Sequence, residues 1–76
     1  MSSRKTIASL CKANECGDIW ALQSLFLYWL DCGQRSQVVS DFLSLRKKER
    51  NTLWRFFYHN SQEQLCAVLM DIVLPM

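Results

Sequence analysis

Twelve consecutive residues, Ile19 to Leu30 (IWALQSLFLYWL), hold only two polar side chains, Gln23 and Ser24. A helix that is apolar on every side is normally buried in a large core or a membrane. This run is too short to span a bilayer, which takes about 20 apolar residues. A chain of 76 residues has no large core either. A domain of that size hides about 60% of the surface its unfolded chain exposes. Part of the run must therefore face water or a partner.

The pattern around it is helical throughout. No stretch alternates apolar and polar residues for long, as a half-buried strand would. With only two Gly and one Pro, and with three Trp, four Phe and two Tyr, the chain is too aromatic and too uninterrupted for disorder. The expected fold is all-α: a compact bundle of four or five short helices, with residues 1–76 forming a single helical domain.

Turn signals divide the helices. The first is expected from about Ser3 to Glu15, with Ile7, Leu10, Cys11 and Asn14 at 3–4 spacing and Gly17 as a left-handed cap. Asp18 is the N-cap of the second, which runs to about Cys32 and ends at Gly33. Its inner stripe is Ile19, Leu22, Leu25, Phe26, Trp29 and Leu30, leaving Trp20, Leu27 and Tyr28 outside. Ser36 is expected to cap the third helix, with Val38, Val39, Phe42 and Leu43 or Leu45 inward. The fourth carries Leu53, Trp54, Phe56, Phe57 and Tyr58. A capping box from Ser61 to Gln64 opens the fifth. Its stripe is Leu65, Val68, Leu69, Ile72 and Val73, and Pro75 follows its end. The second helix is expected at the centre, with the fifth closing the core. The run from Ala13 to Leu22 (ANECGDIWAL) resembles the loop of helical repeat units, but no second copy exists in the chain.

The join between the third and fourth helices is the weak point of the pattern. The apolar stripe thins from Leu45 to Leu53, which favours a break, with Ser44 available as a cap. A helix starting there places Arg46, Lys47 and Lys48 in its first turn. That is the wrong sign for the helix dipole, by about 0.3–1 kcal/mol per exposed charge. Either the helix continues unbroken, or its first turn holds an anion or an acidic partner.

Several functions are poorly served by these residues. Cys11, Cys16, Cys32, Cys66 and the single His59 are the candidate metal ligands. Only Cys11 and Cys16 approach the paired spacing of zinc sites. Cys11 and Cys66 read instead as small core residues, and no metal or other cofactor is expected. One His, with no Gly-rich phosphate loop and no nucleophile motif, gives no reason to expect an enzyme. The start, MSSRKTIASLCK, lacks the apolar core of a secretory leader. A cytoplasmic protein with free thiols is the expectation.

Two surfaces remain. The net charge is only +2, but residues 46–55 hold five bases and one acid. Trp20, Tyr28, Trp54 and Tyr58 exceed what the inner stripes can absorb, and Trp, Tyr and Arg are the residues enriched at interface hot spots. The expectation is a small regulatory protein that binds another protein, an acidic one, or itself as a homodimer. Trp20, Tyr28, Trp54 and Tyr58 would supply the apolar patch, with Arg46, Lys47 and Arg50 at its rim. Arg50 lies four residues before Trp54, a spacing suited to cation–π stacking. By analogy with other compact, cofactor-free chains, an accessory protein of phage or mobile-element origin fits this description. The alternative is a DNA- or RNA-binding regulator that presents Arg46, Lys47, Lys48, Arg50 and Arg55 from the basic helix. The plainest alternative is a solvated basic face.

Overall fold

Three of the helix ends are built the same way, and they set the shape of the chain. In the computed structural model, which describes residues 4–73 and only the backbone of Val73, five helices form. They are α1 (Ile7–Ala13), α2 (Ile19–Asp31), α3 (Arg35–Leu43), α4 (Lys47–His59) and α5 (Glu63–Val73). The links are three to five residues long and fold the helices onto one core.

At the end of α1, Cys16 N–H donates to the Cys11 carbonyl (2.7 Å) and Glu15 N–H to that of Lys12 (3.1 Å). After α2, Gln34 donates to Trp29 (2.7 Å) and Gly33 to Leu30 (3.1 Å). After α4, Gln62 donates to Phe57 (2.9 Å) and Ser61 to Tyr58 (3.1 Å). Each is a Schellman motif, in which one left-handed residue lets the chain turn back and satisfy the last carbonyls. The left-handed residues are Glu15 (φ 58°), Gly33 (φ 75°) and Ser61 (φ 59°).

This motif corrects two expected caps. Glu15, not Gly17, takes the left-handed position after α1. Ser61 is not the N-cap of α5, because it is committed to the end of α4, and α5 starts at Glu63. The same economy moves the start of α3. Gln34 closes the motif after α2 and is also the N-cap of α3, without a side-chain bond, so Ser36 falls inside the first turn. Asp18 does cap α2, accepting from Ala21 N–H at 2.9 Å. Ser44 ends α3 and donates its hydroxyl to the Asp41 carbonyl (2.6 Å).

The expected break between the third and fourth helices is present, at residues 44–46. The N-terminal segment holds it in place. Lys5 pairs with Leu45 in a single parallel β-bridge: Lys5 N–H donates to Ser44 (2.9 Å), and Arg46 N–H donates to Lys5 (3.0 Å). Arg4 reaches the Leu43 carbonyl (3.1 Å). The bridge keeps Arg4 and Lys5 extended, so α1 starts later than expected, at a capping box between Thr6 and Ser9. The expected starting residue Ser3, the side chain of Val73, and Pro75 lie outside the described residues.

The core takes side chains from every helix. Leu10, Cys11, Leu22, Phe26, Val38, Phe42, Leu53, Phe57, Leu65, Cys66 and Leu69 are buried, with Leu45 added from the bridge. Each large apolar side chain contributes about 1.5–3 kcal/mol by burial. Helix α4 packs most extensively along α5, and α3 joins α5 to α2. Helix α2 is not enclosed. Leu22, Gln23 and Phe26 face inward, while Trp20, Ser24 and Tyr28 are exposed. Gln23 is the buried polar side chain, and its Oε1 accepts from Asn60 Nδ2 at 3.4 Å. No helix of the described residues is long and apolar enough to cross a membrane.

Candidate protein-interaction surface

The phase of α4 decides what the aromatic residues can do. Successive residues turn by about 100°. Leu53 and Phe57 point into the core. Trp54 and Tyr58 then fall on one flank of the helix, while Phe56 falls on the other.

On the first flank, the Trp54 and Tyr58 rings stack, with centroids 5.5 Å apart and planes at 14°. Trp54 is fixed by its indole N–H, which donates to the Cys66 carbonyl of α5 at 3.2 Å. Tyr58 is 63% exposed. Opposite it, α5 presents Glu63, Ala67 and Met70 at i, i+4 and i+7, all exposed. Together these residues line an open groove of 550 Å³ between α4 and α5, closed at one end by Ser61 and Gln62.

On the second flank, Trp20 of α2 meets Phe56 edge-on, with centroids 4.9 Å apart and planes at 72°. Trp20 remains 56% exposed. Tyr28 is 61% exposed and lies eight residues further along α2, about 12 Å away. The four aromatic residues expected to form one patch are therefore distributed. Trp54 and Tyr58 are together, Trp20 pairs with Phe56 across α4, and Tyr28 stands apart. Sequence reasoning missed Phe56 as Trp20's support and Met70 as a groove wall. The 63–67–70 spacing carried the signal for Met70.

The bases are divided as well. Arg46, Lys47, Lys48 and Arg55 are exposed. Lys47 and Asn51 continue the face that carries Trp54 and Tyr58, whereas Lys48 and Arg55 lie beside it. Arg50 is half-buried, and its Nη1 donates to the Leu45 carbonyl at 3.0 Å. It braces the turn between α3 and α4, and its Nε is buried without a partner. The acid that answers the basic first turn of α4 comes from within the chain. Glu49 accepts the backbone N–H of Ile7 at 2.8 Å, which sets one carboxylate at the N-termini of both α1 and α4.

His59 and Cys66 both line the groove, but burial pushes the Cys66 thiol above its ordinary pKa. Catalytic cysteines need the opposite shift. Burial, with smaller contributions from Cys16 and Asp18, raises Cys11 as well. Burial and then Asp18 raise Cys16. The Tyr28 hydroxyl is raised by its hydrogen bond with Cys32. All four thiols are free. Among the described residues no three His, Cys, Asp or Glu side chains gather as a metal site would require.

Comparisons with protein-family models, with curated proteins and with solved structures find no match for this chain.

Proposed function

We propose that this protein is a non-catalytic, cytoplasmic interaction module that docks a partner protein in the groove between α4 and α5. The stacked Trp54–Tyr58 pair facing Met70 carries this reading. Rigid aromatic side chains with an exposed face supply contact area at low entropic cost, and they dominate interface energetics. A groove between two antiparallel helices suits an amphipathic helix of the partner. Exposed Lys47, Lys48 and Arg55 beside the groove favour a partner with acidic residues and speed its encounter.

The test is affinity capture from native lysate after nuclease treatment, with wild type beside Tyr58→Ala and Met70→Ala. A stoichiometric protein retained by wild type and reduced in both variants supports the reading. Retention that ignores both substitutions contradicts it. The exposed Arg55, one turn before Tyr58 on α4, favours a second reading: a single-stranded nucleic acid that stacks on the ring. Capture that disappears with nuclease and with modest salt selects that reading instead.

A further inference from the structure

The open face of α2 matches the face of α4 that supplies one wall of the groove. Trp20, Ser24, Leu27 and Asp31 follow one another along it at spacings of 4, 3 and 4 residues, and Trp20, Ser24 and Asp31 are exposed. On α4, Lys47, Asn51, Trp54 and Tyr58 form a face with the same spacing. Both faces are about 16 Å long. Laid antiparallel, they bring Trp20 onto Tyr58, Leu27 near Asn51, and Asp31 onto Lys47 and Lys48.

Charge identifies the occupant. Asp31 is the last residue of α2, where an acid opposes the helix dipole. Lys47 and Lys48 open α4, where bases oppose it. Each helix carries an end charge of the wrong sign for itself and of the right sign for the other. Between Asp18 and Asp31 the face of α2 has no base to repel α4.

We propose that α2 of one copy docks in the α4–α5 groove of a second copy, which makes the protein self-associate head to tail. This rests on the reading of that groove as a protein-docking surface. The two contacting surfaces differ, so each added copy leaves one α2 face and one groove open. Such a contact grows into a chain of copies unless its rotation closes a ring.

The experiment is sedimentation velocity over a range of concentrations and salt, on wild type, Asp31→Lys, the double variant Lys47→Glu with Lys48→Glu, and a chain carrying all three changes. Wild type should associate with rising concentration and dissociate with salt. Asp31→Lys and the double variant should each associate at least about tenfold more weakly, since each sets like charges together. An equimolar mixture of the two should associate again, and so should the triple variant, because both restore opposite charges across the contact. Each variant also removes a wrong-sign charge from a helix end, so thermal melts should show folds at least as stable as wild type.

Wild type that stays monomeric at the highest soluble concentration overturns the proposal. Association of the double variant equal to wild type overturns it too. If a variant fails to fold, the salt and concentration dependence of wild type still decides. A monomeric wild type that nevertheless captures a partner through Tyr58 and Met70 overturns this inference and leaves the groove reading standing.

Discussion

Glu49 accepts the Ile7 backbone N–H across 42 residues of chain, at 2.8 Å. This bond joins the start of α1 to the start of α4, and the Lys5–Leu45 bridge lies beside it. Together they hold the start of α4 against the N-terminal segment. Helices α1 and α3 have little surface of their own, at seven and nine residues.

Replacing Glu49 with Ala should destabilise the fold by about 1–3 kcal/mol, because it leaves a part-buried N–H without a partner and removes an acid from two helix N-termini. Glu49→Gln keeps an acceptor and should lose less, about 0.5–1 kcal/mol. Urea denaturation measures both. Two variants indistinguishable from wild type contradict the role assigned to the carboxylate.

Arg50→Ala should lower stability by about 1–3 kcal/mol, since the Leu45 carbonyl loses a charged donor. Partner capture per folded molecule should stay near wild type. A normal melt with weakened capture returns Arg50 to the rim of the binding surface.

The left-handed residues make opposite predictions. Glu15→Gly should stabilise the chain by about 0.5–1 kcal/mol, because a side chain at positive φ is strained and glycine is not. Gly33→Ala should destabilise by about 1 kcal/mol for the same reason. Thermal melts of the pair test whether the Schellman geometry is right at both ends.

Buried thiols make stability depend on alkaline pH. Cys11 and Cys66 have folded pKa values raised from 9.0 by burial. Below the unfolded value both states keep their protons, and the stabilisation is complete. As pH rises from there through the folded values, the unfolded chain releases protons first and stability falls. The urea midpoint should fall as pH rises above about 9, and less steeply when Cys11 and Cys66 are both Ala. Exposed Cys32 should react with a thiol reagent before either of them.

The five helices, the break after Leu43 and the Asp18 cap were legible because each depends on residues within a few positions of one another. The caps at Ser36 and Ser61 were not. Both serines are good N-caps in isolation, but the preceding helices had already claimed the linking residues for their own Schellman ends. Arg50 shows a similar limit. Its wheel position in line with Leu53 and Phe57 is correct, and only the path of the chain at Leu45 reveals the carbonyl it serves. The surplus of aromatic residues was readable. Its division into Trp54–Tyr58 and Trp20–Phe56 needed the crossing of α2 over α4. Gln23 and Trp20 show the limit of composition: on one helix, the amide is inside and the indole outside.

The most direct test is oxidative footprinting of the dilute protein, free and with its captured partner. Tyr58 and Met70, both exposed in the free chain, should be protected in the complex. Leu43, exposed on α3, should be unchanged. Unaltered labelling of Tyr58 and Met70 in a complex that protects residues elsewhere would contradict the assignment of the α4–α5 groove as the docking site.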